Sequence, residues 1–333
     1  MKKNLRLLCL SLLAASFMTG FAQENVTSKV NNADFEQGVA YWDVEFDGQN
    51  WGKNVNKSKQ TGFYGFTGIS LEVWNGSTLQ KNSISQTLKN LPNGTYVFGA
   101  YLGAAYQKGV PGKTEEETEE QFKHRRDSIR AIMTKDSVFG VSMFANMDAI
   151  PVATDNPDRG EMLRHTEKFN IATKVTDGVL TVGLKVDSTN TTYVCWDEVE
   201  LYYFGDMDAA AALDAMAKID AKKPLAIADT VINKHMAADT LKFLNEGIAA
   251  AKAVATAADF TAADEKLRWG IVLGNRSVND YNRLAKKIAA SNALVNSKDD
   301  WFYPETLTAT QAVIAYAQGL YDAKTVKDRK SVV

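Results

Sequence analysis

The chain has 333 residues, 45% of them hydrophobic, with 38 Lys and Arg against 40 Asp and Glu and a formal net charge of -2. So even a balance supplies no basic field to attract phosphate backbones, and nucleic acid is excluded as an expected partner. The 2 cysteines, Cys9 and Cys195, lie one in the leader and one in the body, so no intramolecular disulfide is expected and packed cores must supply the stability.

The leader comes first. Met1-Lys2-Lys3-Asn4-Leu5-Arg6 is a basic start, and an apolar run over 7–21 follows it. That run is too short to span a bilayer and stay there. Gly20-Phe21-Ala22 places small residues where a signal peptidase reads them, so residues 1–22 are expected to be a signal peptide of an exported protein. Cys9 makes a poor lipidation site because Arg6 lies just before it, and no later stretch offers a transmembrane anchor.

From residue 25 to about 205 the chain is rich in Gly, Asn, Thr and aromatics, and short alternating runs are bounded by turn residues. Strands are expected over 70–74, 96–102, 138–144, 179–186 and 193–203, with Asn75-Gly76, Leu91-Pro92-Asn93-Gly94 and Asp177-Gly178 as turns. Plain alternation over the last strand would put Trp196, Glu198 and Glu200 on one face and Asp197, Val199 and Leu201 on the other. Strands without interleaved helices predict an all-β sandwich or barrel. A charged insertion near 113–133 interrupts it, with Glu115, Glu116, Glu117, Glu119 and Glu120 ahead of Lys123, Arg125, Arg126 and Arg130. Acid first and base last suits a helix dipole.

Beyond residue 206 Ala, Lys, Leu and Asp dominate, and an all-α helical bundle is expected over 206–333. Pro224 marks a break, 239–254 carries an apolar stripe at helical spacing, and further helices are expected from Phe260, over 280–294 and over 305–321. The spacing of Leu241, Ile248, Ala251 and Val254 recurs in Leu307, Ile314, Ala317 and Leu320, which suggests two related helical units, the second incomplete.

Three segments carry a family resemblance. Asn31-Asn32-Ala33-Asp34-Phe35-Glu36-Gln37-Gly38 with Trp42 resembles the opening of the family four, nine and twenty-two carbohydrate-binding modules, which share a galactose-binding-like jelly roll. Ile84-Ser85-Gln86 ahead of Leu91-Pro92-Asn93-Gly94-Thr95-Tyr96, and the closing Trp196-Asp197-Glu198-Val199-Glu200-Leu201, match in the same order. The resemblance implies a jelly-roll sandwich over 25–205 and, at Glu36 and Asp197, a structural Ca²⁺ site whose hard oxygen ligands suit that ion. The helical part resembles FIVAR-type domains that accompany sugar-active and adhesive surface proteins. Asp-Ser/Thr motifs at Asp127-Ser128, Asp136-Ser137, Asp187-Ser188, Asp229-Thr230 and Asp239-Thr240 resemble protein O-glycosylation acceptors of some Gram-negative anaerobes, in keeping with a periplasmic, cell-surface or secreted location.

Glycan binding needs flat aromatic faces with amides and carboxylates beside them. Trp51, Tyr64, Phe66 and Trp74 lie in or beside Gly- and Asn-rich loops with Asn50 and Asn75 near them in sequence, and Tyr101 and Tyr106 lie at or after a strand end; these are the candidate ligand residues. Trp42 and Trp196 are expected in the core. His124, His165 and His235 are scattered, and neither a metal-ligand spacing nor a nucleophile elbow occurs, so no enzyme is expected. The expected function is a non-catalytic carbohydrate-binding protein with glycan or polysaccharide as partner. The alternative is a structural or adhesive module that binds other surface proteins and no sugar.

Overall fold

The computed structural model describes residues 23–46, 70–75, 78–105, 112–131, 134–154, 166–297 and 303–325. The expected leader, residues 1–22, therefore lies outside the described residues. The chain divides into two units, Met1–Met216 and Ala217–Val333.

The first unit is a sandwich of two five-stranded sheets in which every pairing is antiparallel. One sheet holds β1 (Glu24–Asn25), β10 (Tyr193–Tyr203), β5 (Gly94–Ala105) and β8 (Glu167–Val175) in that order, with β3 (Leu71–Trp74) also paired to β10. The other runs β2 (Asp43–Phe46), β4 (Asn82–Leu88), β9 (Leu180–Val186), β6 (Val141–Ala145), β7 (Asp148–Pro151). Alternation explains which side faces inward: Ile84, Leu88, Val182, Leu184, Val186, Val141 and Met143 are buried in one core with Leu71, Val73, Phe98, Leu102 and Leu201 of the facing sheet. Ser83, Ser85, Thr87, Lys185, Ser142 and Phe144 take the outward positions of the second sheet.

The opening motif is built into this core. Phe35 stacks against Trp42 at 5.2 Å and Trp196 at 4.9 Å, and the two indoles meet at 5.2 Å. Both tryptophans are core residues, as composition and position led us to expect. Asn32, Phe35 and Tyr41 have positive φ, so the loop coils tightly; Asn32 holds it by donating from Nδ2 to the Gly38 and Ala40 carbonyls. Gln86, 5% exposed, points inward from β4 and ties the loop to the sheet. Its Nε2 donates to the Asn31 and Tyr41 carbonyls and its Oε1 accepts from the Asn31 N–H.

The last strand departs from simple alternation. Asp197 lies opposite Tyr101 and Glu200 opposite Gly99, three residues against two, so one extra residue bulges at Glu198–Val199 and Glu198 takes φ 50. Asp197 and Glu200 consequently share the outer face, while Trp196 and Leu201 share the core. The expected split of Asp197 from Glu200 is thereby overturned.

Within the charged insertion, α1 (Glu119–Ala131) is helical. Thr118 caps it reciprocally: its hydroxyl accepts from Gln121 N–H and Gln121 Oε1 accepts from its own N–H. Arg125 grips Glu117 with two N–H donors at 2.6 and 2.7 Å, which pulls the Glu117 carboxyl down to about 2.

Helices α2 (Ala209–Asp220), α3 (Lys222–Asp229), α4 (Ala238–Lys252), α5 (Ala257–Asn296) and α6 (Pro304–Asp322) follow, with the division between the units falling inside α2. Sequence spacing suggested separate helices from Phe260 and over 280–294. They form the single 40-residue α5, which starts from a Thr256–Asp259 capping box and has no proline to interrupt it. Helices α4 and α5 meet backbone to backbone. A Cβ at Gly247 would lie 2.8 Å from Leu267 Cα, and one at Gly270 2.9 Å from Leu244 Cα. The recurrent stripe has two fates: on α4 Leu244, Ile248 and Ala251 are buried, whereas α6 buries no residue.

Two substitutions test these supports by urea unfolding. Gln86→Leu strands one N–H and two carbonyls and is expected to cost the sandwich about 2–3 kcal/mol. Gly270→Ala forces α4 and α5 apart and is expected to cost the helical unit about 1–3 kcal/mol.

Candidate functional site

The two sheets present very different outer faces. On the sheet containing β5 and β10 that face is polar yet withdrawn from solvent. Glu72, Tyr101, Lys168, Tyr193 and Cys195 are each at most 7% exposed. Lys168 forms an ion pair with Glu200, and its ammonium lies 5.0 Å from the centre of the Tyr101 ring. Burial, with Cys195 and Glu72 beside it, drives the Tyr193 hydroxyl well above its ordinary range, and burial likewise drives up the Cys195 thiol. A thiol held protonated in this way is no nucleophile.

Asp197 is a buried and strongly perturbed acid. It is 2% exposed, its Oδ1 accepts the Glu198 N–H at 2.7 Å, and burial together with the charges of Glu198, Asp34 and Glu36 pushes it up to about 8. The carboxylates of the opening and closing motifs thus feel one another. A cation of the hard, oxygen-seeking kind fits that donor chemistry, since it would offset the cost of ionising Asp197. Among the described residues no three His, Cys, Asp or Glu side chains converge on one point. Carbonyl or water oxygens would therefore have to complete a shell around Glu36 and Asp197.

The outer face of the β2–β4–β9–β6–β7 sheet is open. A groove of about 590 Å³ runs over it, lined by Glu45, Lys81, Asn82, Ser83, Ser85, Phe144, Lys185, Val186 and Asp187. That volume lies within the usual range of small-ligand sites. Pairing fixes its layout. One row reads Asp43, Ser85, Gly183, Phe144 across four strands, and the next reads Glu45, Ser83, Lys185, Ser142. Phe144 leans over its neighbour: a Cβ at Gly183 would come within 2.3 Å of the Ile84 carbonyl oxygen and 2.8 Å of Phe144 Cζ, so glycine there admits both the adjacent backbone and the tip of the ring. The result is a half-buried aromatic floor with hydroxyl, ammonium and carboxylate groups on one side of it, all exposed or half-exposed.

The residues singled out from sequence are distributed otherwise. Asn50, Trp51, Tyr64, Phe66 and Tyr106 lie outside the described residues. Trp74 ends β3, opposite Tyr193, and is 50% exposed; Asn75 follows it and donates from Nδ2 to the Thr78 carbonyl in the turn. Tyr101 is 2% exposed and offers no face to a glycan; it is a strand residue packed on Lys168. The groove's own residues were missed because Phe144 and Lys185 sit in strands that look ordinary in sequence. The available signal was Gly183 inside an alternating strand, which marks a site of close approach.

No family model matches the chain, and no curated protein matches it. Among solved structures, a family 61 carbohydrate-binding module in complex with β-1,4-galactotriose is 16% identical, over 53% of this chain and 97% of its own, with a TM-score of 0.32. A family 4 module covers 52% of this chain and 99% of its own at 9% identity and TM-score 0.30. A cleaved adhesin domain of Lys-gingipain from Porphyromonas gingivalis covers 52% and 97% at 17% identity and TM-score 0.29.

Asp197 gives the site a measurable pH signature. Its folded-state value lies above its unfolded value, so its contribution is full below about pH 4 and is lost as pH rises towards about 8. In chelator, stability is expected to fall between pH 5 and pH 8 by on the order of 2–3 kcal/mol. Asp197→Asn should flatten that slope in urea midpoints taken across the range.

Proposed function

We propose that the first unit is a non-catalytic carbohydrate-binding module of an exported protein and that its ligand lies in the groove on the outer face of the β2–β4–β9–β6–β7 sheet. The observation that supports this reading is the half-buried Phe144 ring, its tip over Gly183, within an open polar groove. The C–H face of a pyranose packs on such a ring, while Ser83, Ser85 and Glu45 are placed to bond its hydroxyls. Catalysis is not part of the reading. The acids brought to one face of β10 are Asp197, which is buried, and Glu200, which is engaged by Lys168.

A structural Ca²⁺ at Glu36 and Asp197 belongs to the same reading, as does a place at the cell surface or in the periplasm. The helical unit then serves as a spacer or interaction module.

Affinity electrophoresis of the full chain, without its leader, on neutral β-glucan, xylan and galactan and on acidic polysaccharides tests glycan binding. Retention on at least one is expected, and Phe144→Ala should weaken it about tenfold or more while leaving the far-ultraviolet dichroism unchanged. A folded protein retained by none of them would refute the proposal. For the ion, adding Ca²⁺ to chelator-treated protein is expected to raise Tm by several degrees, and Asp197→Asn should abolish that rise. An unchanged Tm in the unmutated protein would remove Ca²⁺ from the account.

A further inference from the structure

We infer that the groove selects an anionic glycan, one whose pyranose rings carry a carboxylate or a sulfate, and that Lys185 is the residue that recognises the charge. The inference rests on the groove being a glycan site.

Its basis is the strand register. Phe144 pairs with Gly183, and Lys185 stands two residues further along the same strand, on the same face. Two residues of extended chain span roughly 6.5–7 Å. A pyranose centred over the Phe144 ring projects the oxygens of a C6 carboxylate or a ring sulfate roughly 4–5 Å from its centre, which leaves about one hydrogen-bond length to an ammonium at that distance. Ser83 and Ser142 are the cross-strand neighbours of Lys185 on either side, and their hydroxyls can donate to the remaining anion oxygens. Lys185 is exposed and makes no ion pair among the described residues, so no protein carboxylate already occupies its donors.

The groove's other charges do not reverse this. Glu45 lies in the same row but two strands away, with Ser83 between, roughly 9–10 Å from Lys185. Asp187 is two residues beyond Lys185 on the side away from Phe144, and the next row there brings Lys81 to face it, by extension of the Asn82–Val186 pairing. Asp43 is in the Phe144 row, beyond Ser85. Beside the aromatic floor, in the row that a stacked sugar's substituents reach, Lys185 is the charged group nearest Phe144. A neutral glycan would leave that ammonium hydrated and gain nothing from it, whereas an anionic one gains a charge-assisted bond.

The test is titration calorimetry of the folded chain with polygalacturonate, dextran sulfate and neutral galactan, each at two salt concentrations. The expected result is binding to at least one anionic polymer at least tenfold tighter than to galactan, with the difference shrinking at high salt. Polygalacturonate preference would assign a carboxylate ligand, and dextran sulfate preference a sulfated one. Lys185→Gln should remove the preference, leaving residual binding equal to that of galactan, while Lys174→Gln on the other sheet should change nothing. Phe144→Ala separates the two levels of the argument, since it should weaken anionic and neutral polymers alike. Equal binding of galactan and both anionic polymers, or an anionic preference that survives Lys185→Gln, would overturn the inference while the glycan site stands. Binding to none, or binding that Phe144→Ala leaves intact, would overturn the site itself.

Discussion

The contact on which the sandwich depends is the three-ring cluster of Phe35, Trp42 and Trp196. It joins the opening loop to the closing strand, two segments some 160 residues apart in sequence, and all three rings are buried. Burying rings of this size contributes several kcal/mol in apolar area alone. The positive-φ loop, its Asn32 bonds and its tether to Gln86 are the means by which Phe35 and Trp42 are delivered to Trp196. Glu36 and Asp197 are near one another for the same reason. They flank the residues that the cluster brings together, and the high value of Asp197 is an electrostatic consequence of that packing.

The β-bulge at Glu198–Val199 works from the same place. By inserting one residue, it keeps Trp196 and Leu201 in the core and turns both Asp197 and Glu200 outward. Glu200 then meets Lys168, and Lys168 sits against Tyr101, so the outer face of that sheet is filled by its own polar partners. Ion pairs withdrawn from water in this manner add little net stability, yet removing one partner is costly. Among the described residues no ion pair crosses the outer face of the opposite sheet, where Thr87 and Thr181 share a hydroxyl hydrogen bond. Small residues at Ser83, Ser85, Gly183 and Ser142 leave it low, and the Phe144 ring leans over Gly183. That asymmetry between the two outer faces leaves a groove on one of them.

Much of the architecture was legible in the chain itself. Alternating runs, Asn-Gly and Asp-Gly turns and the shift to alanine-rich composition determined the order of strands before helices, because side-chain period and turn chemistry are local properties. The role of Trp42 and Trp196 as core was likewise legible from their place in the opening and closing motifs. Helix boundaries were less so: the join of two expected helices into α5 reflects the absence of a proline, but also Gly270 and Gly274 packing tightly on neighbours that no local pattern names.

What tertiary structure alone decided is which side chains share a face. The sequence placed an aromatic and a lysine in separate strands and said nothing of their proximity, since cross-strand register depends on how β6 and β9 pair. It also put Tyr101 among candidate ligand residues, and only the packing of β8 against β5 turned that ring into a support for Lys168. The bulge in β10 is the sharpest case. One inserted residue reverses every inference drawn from alternation beyond it, because strand period is two and a one-residue slip exchanges inside for outside. By itself, then, the sequence determined the elements, their order and the motifs that close the sandwich. Pairing register, a property of distant segments in contact, decided which side chains meet in the groove over the second sheet.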